Sequence, residues 1–295
     1  MTRHRIPIVL LAAALLAVPA AQAAEPTRFE FFVRGDWTPG TVGTALFHTY
    51  DPHPVFDIPG SYARQTLQID PLAGSGLQAG MTVFFGPTVG LRFSLGRLEN
   101  PFGGVNSDFE MAYRYRVWMP AIGGFQYVEG TYSVDKVWPD TSGSLGRITT
   151  ALEIVVRIPF SAALSLNLTA GPLLSFYSGD IHSLCFTELT YERYGAFFFG
   201  DYFVRLRLPA ETVLGFTGSA ELELRLDRHL AVVLDAGYRS GSYAGTPKIT
   251  AAYGYNDALE ASAAAITRIK AAIVPGPIKL SPSPFVFGAG MAVVF

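Results

Sequence analysis

The chain has 295 residues and a formal net charge of −2 at pH 7, which excludes the strongly basic surface that binds nucleic acid. Charged residues make up only 16% of it, below the roughly 25% of an average soluble domain, whereas apolar residues reach 49%. This shortage of charge indicates a large surface that faces lipid rather than water. The single cysteine, Cys185, excludes an internal disulfide bond, and we interpret it as a small apolar residue.

The first 23 residues have the three parts of a cleavable export signal. The head at 3–5 is basic (Arg-His-Arg), an apolar run follows at 6–20, and 21–23 (Ala-Gln-Ala) offers small residues for cleavage. The apolar run is shorter than the ~20 residues that a membrane helix needs. We therefore predict a signal peptide over 1–23 and a single mature domain over 24–295.

The rest of the chain is dominated by segments in which apolar and polar residues alternate. In the last of them Phe285, Phe287, Met291 and Phe295 share one parity. Period two over ~9–11 residues is typical of a tilted membrane strand, and the terminal Phe resembles the signal read by the barrel-insertion machinery of outer membranes. An unpaired edge is not tolerated in hydrocarbon, so such a sheet must close. The pattern predicts an all-β fold, a closed antiparallel transmembrane β-barrel.

The strand count follows from the number of alternating segments. We count ten: 27–37, 76–85, 88–98, 108–118, 125–135, 147–158, 163–176, 212–226, 230–239 and 284–295. Four connections are short, at 86–87, 119–124, 159–162 and 227–229. With ten strands every short turn is periplasmic and every long loop extracellular, as in known barrels of this kind. Twelve strands stay open, because 38–75 and 177–211 could each contain a hairpin.

One face of most predicted strands carries charged residues, which we expect to point inward. They are Glu30, Arg34, Arg114, Arg116, Glu153, Arg157, Glu221, Glu223, Arg225, Asp235 and Arg239, with Arg205 and Arg207 on a continuation of one strand. Large diffusion channels use more strands, ~16–18, so we expect ion pairs that fill a narrow lumen. Pro172 predicts a bulge, and the Ala-rich stretch 258–274 predicts a short helix or plug.

Four residues form the constellation with catalytic chemistry. Asp180 and His182 lie just past the seventh predicted strand, and Asp108 and Glu110 lie at the top of the fourth. In a ten-strand ring the two pairs face each other across the outer mouth. These spacings and the strand number resemble the omptin family of outer-membrane proteases, in which an Asp-x-His pair faces an Asp-x-Asp pair.

The resemblance implies a water molecule held between the two pairs. His182 would act as base, Asp180 would orient it, and Asp108 would position the water. Glu110 stands where the family has Asp, and the tryptophan that follows the family's acidic pair is absent. Asp180 and His182 also continue the lipid-facing parity of their strand, so a bulge near Gly171-Pro172 or Gly179 is needed to turn them inward.

Three functions therefore stay open. We favour an outer-membrane barrel whose loops at 38–75, 177–211 and 240–283 form a binding surface for an extracellular ligand or peptide. The alternatives are an omptin-like endopeptidase and a small-solute channel. The expected partners are outer-membrane lipid, including lipopolysaccharide, and the insertion machinery, which would bind the strand ending in Phe295. The scattered histidines and lone cysteine predict no metal site, and no cofactor motif is found.

Overall fold

A computed structural model describes residues 28–40, 45–51, 62–193, 196–254 and 276–295. The predicted signal peptide and the predicted helix at 258–274 lie outside these ranges. Over the described ranges, no helix is long and apolar enough to cross a bilayer. The described residues form the strands β1 (Arg28–Thr38), β2 (Ala45–Asp51), β3 (Tyr62–Pro71), β4 (Gly74–Phe84), β5 (Val89–Met119), β6 (Gly124–Pro159), β7 (Leu164–Arg193), β8 (Ala196–Arg225), β9 (Leu230–Arg239), β10 (Tyr243–Gly245), β11 (Lys248–Gly254), β12 (Ile278–Leu280) and β13 (Phe285–Val294).

Eight of these strands pair in a ring. The order is β1-β4-β5-β6-β7-β8-β9-β13, and β13 pairs again with β1, every pairing being antiparallel. The first and the last strand of the ring along the chain meet at this seam. The amide of Phe295 donates to the carbonyl of Phe29 at 2.9 Å, and the amide of Phe29 donates back at 3.3 Å. The prediction that the last strand pairs with the first is therefore confirmed.

The ring has eight strands where the sequence predicted ten. The segments predicted at 88–98 and 108–118 are both parts of β5, and those at 125–135 and 147–158 are both parts of β6. The polar, Gly-containing stretches between them continue the β5–β6 ladder with one register shift, between Gly103 and Val105. The ladder hydrogen bonds join backbone groups and need no apolar side chains, so the polar residues there did not end either strand.

The short turns identify one end of the ring. Those at 85–88, 160–163 and 226–229 lie at the end that carries Arg28 and Phe295, here called the terminal end. The fourth short connection, between Met119 and Gly124, lies at the opposite end, here called the far end, because β5 and β6 are each one long strand. The predicted asymmetry between short turns and long connections holds for the other three.

Side chains of the ring alternate between an exposed apolar outside and a buried polar inside. Glu221, Glu223, Asp235 and Arg239 are at most 6% exposed, whereas Leu222, Leu224 and Leu234 are 37–52% exposed. The predicted register of β8 and β9 is therefore confirmed, since a slip of one residue would exchange the two faces. The side chains of Arg114 and Arg116 lie outside the described part of the structure.

Beyond the ring, at the far end, the strands continue as two separate sheets. The pairing of β6 with β7 stops at Ser142 and His182. On one side, β2 and β3 form an antiparallel pair, as expected if 38–75 contains a hairpin. This pair adds to the projecting half of β5 through β3 and does not add strands to the ring. On the other side, β11 pairs with the projecting half of β8. The short strands β10 and β12 pair with each other between the sheets, against β8 and β2.

One extra residue in β8 reverses its two faces. Between the pairs Tyr177–Glu211 and Gly179–Leu208, β8 advances three residues while β7 advances two. Leu206 and Leu208 therefore point inward, and Arg205 and Arg207 are exposed, so their predicted inward orientation was wrong. The β7–β8 ladder passes Pro172 without a register shift, so the bulge predicted there is not found.

Candidate functional site

Asp180 and His182 lie together on the outer wall of the projecting part of β7. Ile181 between them is fully buried inside, so no bulge turns its two neighbours inward. The His182 ring contacts the Asp180 carboxylate, and the Arg205 guanidinium lies 3.7 Å from Asp180 and 3.4 Å from Nε2 of His182. Arg207 of β8 lies directly opposite Asp180 in the backbone register of the β7–β8 ladder. The result is an exposed, mixed-charge cluster beside a surface cleft of about 460 Å³.

Asp108 and Glu110 lie on β5, where they pair with Asp135 and Ser133 of β6. Because the ring has eight strands, β5 and β7 flank β6 and do not face each other across the mouth. His182 is level with Ser142 and, through it, with Gly103. Asp108 lies five residues further along, roughly 16 Å at ~3.3 Å per residue. The structure thus keeps the Asp180–His182 pair apart from the Asp108–Glu110 pair and does not bring the four candidate residues into one cleft.

The interior of the ring is filled by ion pairs at successive levels. Nearest the terminal end, Arg157 donates to both oxygens of Glu30 at 2.8 Å and to Glu223 at 2.5 Å. Above it, Arg92 binds both oxygens of Glu221 at 2.8 and 2.9 Å. Higher still lie ion pairs of Arg34 and Arg239 with Asp36. A vestibule of about 540 Å³ opens at the terminal end and stops at Arg157.

Two inward aromatic rings lie beneath these guanidinium groups. The Arg157 guanidinium carbon is 4.1 Å from the centroid of Phe84, and that of Arg92 is 4.7 Å from the centroid of Phe32. Such cation–π contacts gain strength away from water. Sequence reasoning missed Arg92, although its parity within β5 pointed inward. It also missed Phe32 and Phe84, since aromatic residues were assigned to lipid.

The far part of the interior is apolar, which corrects the prediction of a lumen filled by charge throughout. Above Arg147, side chains from both projecting sheets and from β10 and β12 form one buried cluster. The members are Leu67, Ile69, Phe102, Leu145, Tyr177, Ile181, Val204, Leu206, Leu208, Tyr243, Ile278 and Leu280. The face reversal in β8 is what turns its three members of this cluster inward.

The tip of the β5–β6 hairpin exposes large apolar side chains. Trp118, Met119, Ile122 and Phe125 are 40–67% exposed, and the rings of Trp118 and Phe125 lie 5.0 Å apart. No charged residue occurs between Arg116 and Glu129. We call residues 117–128 the apolar tip. The sequence analysis placed this turn on the periplasmic side and so missed it, although the uncharged run itself was visible.

Within the described ranges, no group of three or more His, Cys, Asp and Glu side chains could hold a metal ion. The features of the described residues that could carry a function are the cluster around His182, the ion pairs in the lumen and the apolar tip.

No family model and no curated protein matches the chain. Solved outer-membrane proteins are similar to it in fold. OprG of Pseudomonas aeruginosa has 10% identity and a TM-score of 0.44, over 92% of this chain and 98% of that one. A major outer-membrane protein of Thermus thermophilus has 12% identity and a TM-score of 0.38, over 92% and 100%. The outer membrane protease OmpT of Escherichia coli has 9% identity and a TM-score of 0.33, over 94% and 99%.

Proposed function

We propose that this protein is an integral outer-membrane β-barrel that serves as an anchor, with a filled lumen and a projecting surface that binds a partner. The observation that carries the proposal is the inside-out polarity of the ring. Large apolar side chains such as Phe31, Phe93, Leu152 and Phe287 are about half exposed all around it, while its inward-facing charges are buried. Arg97 and Glu99 are the exposed charged pair that the structure describes on the wall, near the far rim. Water-soluble monomers rarely expose apolar patches beyond ~600 Å².

Strand length supports a single crossing of hydrocarbon. β1, β4, β9 and β13 contain 10 or 11 residues. A tilted membrane strand needs ~9–11 residues. Aromatic pairs lie near the two rims, Phe31 with Phe295 at the terminal end and Trp37 with Phe287 toward the far end. Barrels of this kind place such girdles at both interfaces and their short turns in the periplasm. The far end is therefore extracellular in this proposal, with export by the segment 1–23.

The filled lumen favours an anchor over a channel. Arg157, Arg92 and Arg239, at three levels, are each held by a buried carboxylate, and the apolar cluster lies above them. A solute would have to break these ion pairs in a region that water does not reach. Breaking a buried pair leaves an uncompensated charge and costs about 3–5 kcal/mol.

The apolar tip is the contact surface that we propose, and an apposed lipid bilayer is its partner. β5 has 31 residues and ends at Met119, and the β6–β7 pairing stops level with Gly103, so the last 16 residues of β5 project beyond the ring. At ~3.3 Å per residue this corresponds to roughly 50 Å of extended strand. Trp and Tyr are the residues enriched at membrane interfaces. The tip combines them with a run free of charge, a composition suited to lipid rather than to a polar protein surface.

A second lipid contact is proposed on the outer wall. Arg205 and Arg207 on β8 and Lys248 on β11 are exposed there, in the same projecting region as Asp180 and His182. Three cations beside the cleft fit the phosphate groups of an anionic headgroup, including that of lipopolysaccharide. The mixed cluster around His182 is then part of a headgroup contact.

Binding of fluorescent phosphatidylcholine vesicles to cells that display the protein tests the tip proposal. Burial of an isoleucine side chain contributes about 1.5–3 kcal/mol, so Ile122→Ser should reduce vesicle capture at least about tenfold. Gln126→Ser, at an exposed polar position of the same hairpin, is the matched control and should bind as the wild type does. Equal capture by all three proteins would overturn the lipid assignment. Capture by protein-coated beads alone, sensitive to Ile122→Ser, would replace lipid by a protein partner.

A further inference from the structure

Arg147 is the exception among the buried arginines. It points inward from β6 and is 1% exposed. Arg34, Arg92, Arg157 and Arg239 each have a carboxylate oxygen within 3.0 Å. Among the described residues, Arg147 makes one long hydrogen bond, 3.5 Å from Nη1 to the hydroxyl of Tyr177, and its guanidinium carbon lies 6.0 Å from the centroid of the same ring. In the described part of the chain, its Nε and Nη2 atoms have no hydrogen-bond partner.

The neighbours of Arg147 explain why it has no carboxylate. Across the two ladders it faces Leu98 and Tyr177, and along its own strand the inward residues are Leu145 and Thr149. None of them is acidic. Arg147 thus lies at the boundary where the ion pairs of the ring end and the apolar cluster begins.

Other donors near this boundary are also unused. Tyr243 packs against Tyr177 with ring centroids 6.4 Å apart, and its buried hydroxyl has no partner over the described residues. The buried hydroxyl of Ser175, next to Tyr177 on the inward face of β7, is likewise unpaired there. Burial raises the pKa of Tyr243 to about 12, so its hydroxyl is protonated and able to donate at neutral pH.

An arginine cannot escape the cost of burial by losing its proton, because its pKa is too high. A buried guanidinium without a counter-charge is strongly unfavourable, and native structures resolve such groups with a bound partner. The two free donors, Nε and Nη2, form the edge of the guanidinium plane that carries two parallel N–H groups. That edge matches the two oxygens of a carboxylate.

We propose that Arg147 binds the carboxylate of a small organic acid, with Tyr177 and Tyr243 as further donors. A monoanion compensates the single positive charge, whereas a dianion would leave an excess negative charge in apolar surroundings. Leu98 and Leu145 offer contact to the organic part of the ligand. Toward the far end, Tyr243 belongs to the pair β10–β12, which is only three residue pairs long, and we infer that the ligand enters past this short pair. This inference depends on the geometry of the ring and not on the proposed lipid contact of the tip.

Thermal unfolding of the refolded barrel in micelles, with sodium acetate replacing sodium chloride at constant total salt, tests the site. Wild-type protein should gain stability saturably with acetate, because a ligand that binds only the folded state stabilises it. Arg147→Met should reduce the apparent affinity at least about tenfold, as expected for loss of a charged hydrogen-bond pair. Arg97→Met, which removes an arginine with a 75% exposed side chain, is the control and should respond as wild type.

A merely structural role for Arg147 predicts a different result. In buffer without acetate, Arg147→Met should then be less stable than wild type, whereas a ligand site predicts equal or higher stability for the variant. Tyr243→Phe keeps the ring and removes the hydroxyl, so it should weaken acetate about two- to tenfold even if Arg147→Met does not fold. The absence of a saturable acetate effect in wild type would overturn the proposal. In a second titration each salt is added separately to dilute buffer, and an equal, saturable gain with sodium chloride and with sodium acetate would overturn the carboxylate assignment.

Discussion

Removal of Arg92 probes the ion pairs that fill the ring most directly. The Arg92 guanidinium donates to both carboxylate oxygens of Glu221. Because Arg92 is only 3% exposed, water has little access to Glu221 when the guanidinium is removed. In Arg92→Met the apolar stem is kept and Glu221 is left as a buried carboxylate. Loss of one partner of a buried pair costs about 3–5 kcal/mol. Glu221 keeps Asn167 at 2.9 Å and Arg34 at 3.5 Å, so we expect the lower end of that range, about 3 kcal/mol.

Urea unfolding in lipid vesicles, followed by tryptophan fluorescence, measures this effect. With an m-value of roughly 2 kcal/mol per M, the midpoint should fall by about 1.5 M. The double variant Arg92→Met/Glu221→Met removes both charges and should recover at least about 2 kcal/mol, since an apolar pair is tolerated where a lone charge is not. Arg97→Met, on the exposed outer wall, should change stability by less than about 1 kcal/mol. A single variant as stable as wild type, or a double variant as unstable as the single one, would refute the assignment of Arg92 to a buried pair.

Three further predictions concern the wall and the turns. Leu152→Arg, on the apolar wall midway along the part of β6 that lies in the ring, should cost about 2–4 kcal/mol in urea unfolding, against about 0–1 kcal/mol for Leu214→Arg near the far rim; equal costs would contradict the proposed depth. A β-carbon at Gly290 would collide with the carbonyl of Val33, so Gly290→Ala should lose about 1–3 kcal/mol, while Gly86→Ala, with open space around it, should stay near wild type. Backbone hydrogen bonds from His229 and Leu230 lower the pKa of Asp227 below its usual 3.8. The stabilising effect of the Asp227 carboxylate is present above pH 3.8 and is lost as the pH falls through its lower folded-state pKa. Asp227→Ala should therefore remove this acid dependence of the unfolding free energy. An unchanged pH profile in the variant would contradict the prediction.

The alternation of apolar and polar residues predicted the strands that lie wholly in the ring, because each of these strands buries one face and exposes the other. It placed Glu221, Asp235 and Arg239 inside without any structural information, and the terminal strand beside the first. It could not count the strands, because Gly103 and its neighbours resemble a loop in sequence and yet continue the β5–β6 ladder. Pairing between strands, which decides continuity, is not visible in a single sequence.

The candidate site shows the same limit. The spacing of Asp180 and His182 predicted two neighbours, and the two side chains do make contact. Which strands lie opposite these two residues depends on the number of strands in the ring. The count of ten placed Asp108 across the mouth from His182, whereas β5 and β7 lie on either side of β6. A single additional residue near Pro209 then reversed the faces of β8 and moved Arg205 to the outside. No residue type marks such an insertion, because it is defined only by the ladder to the neighbouring strand.

The seam between β1 and β13 determines the order in which this molecule can fold. Hairpins such as β8–β9 join residues close in sequence and can form early, whereas the ring closes only when both β1 and β13 are present. The bonds inside follow the same order: Arg157 meets Asn167 across 10 residues, but Arg239 meets Asp36 across 203. Closing the longer loop costs roughly 3 kcal/mol more in chain entropy. The ion pairs between strands distant in sequence therefore form when the ring closes, and they stabilise the closed ring against opening at the seam.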